Sequence, residues 1–208
     1  MKGILDGSCP HPVLRVAEGS RGEAMNAGVR QQRAAATREQ LIAAGLSLAE
    51  RTGLAGMSVN LIAAEAGVGK GMFFHHFRDR SEFLVALHKE FHDRVFAEIE
   101  RTVAGMPPGR GRLLAAANAY LDECLRHRGI RALLLEARAD HAILAAIAAR
   151  NRLVGQLVGA DFTAMGWAHP QASAALWNAA VVEAALLELA AGGYQAELRA
   201  ALAQFLPG

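Results

Sequence analysis

Apolar residues return every three or four positions through most of this chain, and no stretch keeps the two-residue alternation of a half-buried strand. Over Thr37–Gly53 the residues Leu41, Ala44 and Leu48 form one stripe, opened by a capping box of Thr37 with Gln40 and stopped at Gly53. Ser58 caps a second, short helix whose inner face carries Val59, Ile62, Ala63 and Ala66. Gly67 supplies a left-handed backbone position that ends this helix, and Val68 plugs the corner. A third helix from about Lys70 to Phe77 buries Phe73 and Phe77 and turns Lys70, Gly71, Met72, Phe74, His75 and His76 outward. A longer helix from Ser81 to about Val103 places Leu84, Leu87, Phe91 and Val95 on one stripe, and Gly105-Met-Pro-Pro-Gly109 ends it. Further helices are predicted at about 111–127, 130–137, 140–158, 170–191 and 194–205. Their separators are His127–Gly129, Arg138–Asp140, Gly159–Pro170 and Gly192–Gly193. The pattern predicts an all-α protein.

The two short helices joined at Gly67 have the form of a helix-turn-helix. Small Ala63 and Ala66 permit a close crossing, and the exposed mixture of Lys, His and aromatic side chains on the second helix suits a DNA groove. An ordinary helical hairpin is the plain alternative. The Gly69-Lys70 pair does not make a phosphate loop, because Ala64 stands where the first glycine is required, Gly71 stands where the hydroxyl is required, and no strand precedes it. Charge agrees with DNA. Residues 28–80 hold seven Lys/Arg against four acids, whereas residues 1–27 are balanced and residues 81–208 carry 12 basic and 13 acidic residues.

The segment 34–90 resembles the DNA-binding end of the tetracycline-repressor (TetR) family of bacterial transcription regulators. The resemblance rests on Thr37–Gly53, on Ser58–Phe77, and on the junction Phe77-Arg-Asp-Arg80-Ser81-Glu-Phe-Leu. It implies that Arg80 holds a DNA phosphate. It also implies a three-helix DNA-binding domain over 33–80, a helical effector-binding and dimerisation domain over 81–208, and a ligand-responsive regulator, a repressor by expectation, that binds a palindromic operator as a homodimer. Two positions depart from the family pattern. Phe74 replaces a usual tyrosine, which removes one hydroxyl contact and leaves packing or thymine-methyl contact, and Gly69 replaces a usual Ser or Thr helix cap. On this reading Lys70 and His75 reach base edges, Met72 and Phe74 add apolar contacts, Gly71 permits close approach, and Arg80, His76 and Thr37 hold phosphates.

The resemblance gives the second region two tasks, dimerisation and enclosure of a small effector. The helix over Gln171–Ala191 carries Ala175, Ala179, Ala180, Val181, Ala184, Ala185, Leu187 and Leu189 almost all round, so a partner subunit covering about 170–205 is expected, with a buried central helix of a monomer as the alternative. Candidate pocket residues are Tyr120, Cys124, Met165, Trp167 and Trp177, with Asn118, His141 and Asn178 as polar tethers.

Of the 208 residues, 52% are apolar and only 6% aromatic, so the core is built mainly from Ala, Leu, Val and Ile. Cys9 and Cys124 fall in segments not expected to meet, no charge-free apolar run of about 18 residues occurs, and a reduced, cytoplasmic protein without membrane association follows. Residues 1–32 read as a flexible extension, with Met25 a plausible initiator and Arg30 and Arg33 able to reach DNA. Two rivals remain. His88 and His92, four apart with Glu90 between, suggest a metal-responsive regulator, though Lys89 breaks the zincin pattern and solvated or DNA-facing histidines are the default. The second rival reads the helix-turn-helix as a protein-interaction module, which Lys70, Arg80 and the basic charge oppose. No Gly-x-Ser-x-Gly elbow is found, so no enzyme, cofactor or bound metal is expected.

Overall fold

A computed structural model describes the backbone of residues 18–206 and the side chains of residues 28–53 and 56–206. Among these residues every regular element is helical: α1 (Glu18–Gly56), α2 (Val59–Glu65), α3 (Lys70–His76), α4 (Arg80–Val103), α5 (Arg110–Arg126), α6 (Arg128–Glu136), α7 (His141–Ala164), α8 (Pro170–Ala191) and α9 (Ala196–Gln204), with one 3-10 turn at Ala137–Ala139.

The first helix starts earlier than its sequence signals suggest. Residues 18–32 belong to α1 rather than to a flexible extension, and Thr37 sits inside the helix, its hydroxyl donating to the Arg33 carbonyl at 3.0 Å instead of capping a terminus. Val29-Arg-Gln-Gln-Arg-Ala-Ala-Ala consists mostly of strong helix formers, and no proline interrupts it, so propensity overrides the capping box. Residues 1–17, with Cys9, lie outside the described residues. At its other end α1 breaks at Gly53, whose φ of 62° only glycine adopts without strain.

From Arg38 onward the described residues form one compact unit. Ser58 caps α2, its Oγ accepting from Leu61 N at 3.2 Å. Gly67, at φ 69°, then turns the chain while Val68 N returns to the Ala63 carbonyl at 2.9 Å. Phe73, Phe77 and Phe83 are fully buried and mutually in contact, with ring centroids 5.0–5.4 Å apart. These rings pack α3 against the first turn of α4. A side chain at Gly45 would overlap the Phe83 ring, so α1 and α4 cross at close range there. Asp79 caps α4 by accepting from Glu82 N at 2.8 Å.

Beyond Leu87, α4 enters a bundle with α5, α7 and α8. Residues 159–164, expected as part of a separator, continue α7 as far as Ala164. Gly159 is not a break there; a side chain on it would overlap the Gln171 amide, so its small size admits the start of α8. Arg199 of α9 ties the bundle's end together, bidentate to the fully buried Glu188 of α8 at 2.7 and 2.9 Å and bonded to Asp122 of α5 at 2.6 Å. By length and composition alone α8 is apolar enough to cross a membrane, with mean hydropathy 1.5, yet it carries this buried ion pair.

Candidate functional site

The outward face of α3 presents Lys70, Gly71, Met72, Phe74 and His75, all exposed, with Phe74 at 49%. Phe73 lies on the opposite side of the same seven-residue helix, and Phe77 follows immediately, so two buried rings fix the pitch of this face. Nothing stands within 4 Å of where a Gly71 Cβ would be, so an incoming surface can approach the backbone closely. Gly69 begins α3 without a side-chain cap, as its lack of a hydroxyl requires. His76 differs from its expected role. Its Nε2 is buried without a partner, and burial, followed by the neighbouring charges of His75 and Arg38, lowers its pKa, so the ring is neutral and its inner nitrogen is withdrawn from any phosphate. Arg80 is exposed at the first position of α4, beside the Asp79 cap. Thr37 is half-buried, its hydroxyl committed to Arg33.

A cavity of about 260 Å³ opens between α4, α5, α7 and α8. Its middle is apolar, lined by Val95, Phe96, Ile99, Leu113, Val154 and Val158. Polar groups lie at its two ends. At one end Arg112 is neutralised by Asp161, with Nε–Oδ1 at 2.7 Å and Nη2–Oδ2 at 2.8 Å, while Asp161 also accepts from Gly109 N at 2.8 Å. At the other end stand His92, Tyr120, Arg150 and Asn178, where Arg150 Nη1 meets His92 Nδ1 at 3.1 Å and Nη2 donates to Asn151 Oδ1 at 3.0 Å.

His88 and His92 are buried, not solvated or DNA-facing, with ring centroids 4.5 Å apart and the rings tilted by 59°. Burial, with Arg150 and Arg131 adding to it, lowers the His88 pKa to about 4 and that of His92 well below the usual value. Both rings are neutral. No group of three metal-ligating side chains occurs among the described residues, and the arginines beside these two histidines disfavour a cation.

The sequence profile of the family described as bacterial regulatory proteins, tetR family, matches residues 41–87, the segment that builds α2, α3 and their supports. The HTH-type transcriptional repressor NemR of Escherichia coli (strain K12) is 33% identical over 95 residues, 44% of this chain and 46% of the repressor. The chain thus spans about half the length of the curated relatives it matches. A transcriptional regulator from Rhodococcus sp. Rha1 superposes with a TM-score of 0.68 at 28% identity, over 80% of this chain and 92% of its own. Residues 41–87 belong to the TetR family. The multidrug binding protein EbrR, solved with imidazole, shares the fold at 24% identity with a TM-score of 0.63, over 82% of this chain and 95% of its own.

Within this fold only part of the expected pocket set converges. Tyr120, Trp177 and Asn178 line the cavity. Cys124 is buried beside Tyr120 but does not line it, and burial pushes its thiol pKa up. Met165 and Trp167 pack at the C-terminal end of α7, where Trp167 stands 4.9 Å from the Phe162 ring, because the turn after Ala164 folds them back on the core. His141 is exposed at the start of α7, and Asn118 is exposed on α5, 3.4 Å from Arg199 Nη1. Sequence reasoning missed Arg150, Arg112 and Asp161. Their signal was isolated charge in otherwise apolar stretches, such as Arg150 after Ile143-Leu-Ala-Ala-Ile-Ala-Ala149.

Proposed function

We propose that this TetR-family chain is a DNA-binding transcriptional repressor that acts as a homodimer on a palindromic operator and is released by a small effector held in the bundle cavity. The observation that carries the reading is the outward face of α3, basic at Lys70 and apolar at Met72 and Phe74, fixed from behind by Phe73 and Phe77. Lys70 and His75 reach base edges, Met72 and Phe74 contact thymine methyls, Gly71 lets the backbone approach, and Arg80 holds a phosphate, whereas the Thr37 hydroxyl, already donating to Arg33, is left out of this set. His76, neutral and turned inward, contributes at most a hydrogen bond. Such a protein works in the cytoplasm.

Dimerisation is supported by an uncovered apolar face. On α8 the residues Ala172, Ala175, Leu176, Ala179 and Leu187 are exposed at helical spacing, Leu176 at 74%, and Phe205 just beyond α9 is 68% exposed. Two such subunits place their recognition helices about 34 Å apart, one turn of DNA.

Coupling between cavity and DNA runs through two contacts. Ser81, at the start of α4, donates to Asp140, the cap of α7, and Gly129 N of α6 donates to Glu50 of α1. An effector that favours a bundle with these contacts shifted lowers operator affinity, and the operator lowers effector affinity by the same factor.

The test is selection of bound sequences from a random pool of duplex DNA at two salt concentrations. Enrichment of a palindrome whose affinity falls as salt rises supports the reading. Absence of enrichment with salt-insensitive behaviour rejects it and favours a protein partner for α3.

A further inference from the structure

The polar end of the cavity holds more positive charge than its surroundings neutralise. Arg131 of α6 is only 4% exposed, and its Nε and Nη2 have no hydrogen-bond partner among the described residues. Arg150 Nε is likewise buried without a partner. The buried Tyr120 hydroxyl lies beside Arg150 and Cys124. No carboxylate of the described residues forms an ion pair with Arg131, Arg138 or Arg150, although seven other arginines of the described residues do form ion pairs with carboxylates. A guanidinium does not shed its proton, and Glu183, the carboxylate that acts on Arg138, forms no ion pair with any of the three, so this charge is left largely unneutralised. The histidines respond instead: His88 and His92 are held neutral.

The opposite end differs. Arg112 is matched by Asp161, and Glu100, the cavity's remaining carboxylate, lies eight residues beyond His92, about 12 Å along α4. Between the ends the wall is aliphatic and aromatic. The cavity therefore offers one unneutralised cationic pole and an apolar body.

We propose that the effector is an organic anion with a single acidic head and a compact apolar body, an aromatic or medium-chain carboxylate, whose head is received by Arg150 and the Tyr120 hydroxyl with Arg131 behind them. This rests on the reading of the cavity as the effector site. Arg131 gives the anion a lever, because it stands two residues after Gly129, the α6 residue that touches α1. An anion drawing Arg131 inward draws on the same helix that meets the DNA-binding end.

The experiment is direct binding to the purified full chain without DNA, by calorimetry and by tryptophan fluorescence, since Trp177 lines the cavity. The probes are octanoate, 4-phenylbutanoate and 1-naphthoate, each paired with its own neutral amide. At least one acid is expected to bind about tenfold or more tightly than its amide, the scale of a charged hydrogen bond. Arg150→Gln should abolish that preference and Arg150→Lys should retain it, with melting temperatures showing that both variants fold. Equal binding of all acids and amides, or a preference that survives Arg150→Gln, would overturn the proposal. Release of the selected operator is measured separately. An acid that binds through Arg150 but leaves the operator complex intact supports the anion site and rejects effector release, whereas failure to enrich an operator rejects the DNA reading without touching the ligand class.

Discussion

The backbone N–H of Gly129 donates to Glu50 Oε2 at 2.9 Å, joining the first turn of α6 to the end of α1. There is no room at this junction for any side chain: a Cβ on Gly129 would overlap the Glu50 Cα and the Ala49 carbonyl oxygen. Backbone rather than a flexible side-chain tip is in the way, so relief requires α1 and α6 to separate. Gly129→Ala should destabilise the protein by about 1–3 kcal/mol, the usual cost of overpacking. It should also weaken the effect of bound ligand on operator affinity. Thermal melting and an operator titration with and without ligand check both, and unchanged melting with intact coupling would remove this junction from the mechanism.

Gly71 predicts the opposite sign. It lies within α3 with open space where a Cβ would stand, so Gly71→Ala should raise stability by about 0.5–1 kcal/mol through restricted unfolded-chain freedom. The same methyl group intrudes on a close approach to DNA, and operator affinity should fall. A variant more stable and equally tight on DNA would show that α3 does not approach through Gly71.

These two glycines mark how much the sequence could reveal. The helix-turn-helix was legible because its signals are local: a serine cap at Ser58, a left-handed turn at Gly67, and Phe73 and Phe77 at helical spacing, all found in place. The bundle's helices were legible as elements from their periodicity, apart from the start of α1 and the end of α7. The cavity was not. Its polar pole is assembled from His92, Tyr120 and Arg150 on three different helices, with Arg131 behind them, and pairing across helices leaves no spacing to read in one chain. His88 and His92 illustrate the limit: four apart, they resemble a metal pair in sequence, whereas burial beside arginines makes them neutral core residues.

Lys70 and Arg80 should fail differently. Lys70 is exposed at the start of α3, the helix proposed to enter the groove, while Arg80 stands at the start of α4. Arg80→Ala should weaken binding to all sequences alike and reduce the log-affinity against log-salt slope by about one for each lost contact. Lys70→Ala should change which operators are preferred. Repeating the selection with each variant decides it, and an unchanged preference for Lys70→Ala would remove Lys70 from base readout.

The exposed stripe on α8 predicts the assembly state. Leu176 and Leu187 are exposed without being required for the core beneath, so Leu176→Glu combined with Leu187→Glu should leave the fold intact while burying two charges in any subunit contact made there. Sedimentation should show a dimer for the native chain and a monomer for the double variant, with operator affinity lost in parallel. A double variant that remains dimeric would place the subunit contact elsewhere.

Stability should fall with acid through His88 and His92. In the unfolded chain each titrates near 6.5; in the fold, burial beside Arg150 and Arg131, with Arg138 also acting on His88 and with Tyr120 and Cys124 of α5 close by, lowers His88 to about 4 and His92 well below the usual value. Because the unfolded state binds these protons more readily, stability is complete above pH 6.5 and is lost progressively as the pH falls toward 4. Each histidine contributes up to about 1.4 kcal/mol per pH unit within that window. Denaturant unfolding at pH 7, 6 and 5 should show this slope, and the double variant His88→Gln with His92→Gln should flatten it. By the same argument a bound carboxylate, neutralising Arg150, removes part of the repulsion that keeps His92 neutral, so ligand binding should strengthen as pH falls below 7 for as long as the acid itself stays ionised; a ligand affinity that declines between pH 7 and 6 would contradict both the buried cationic pole and its anionic occupant.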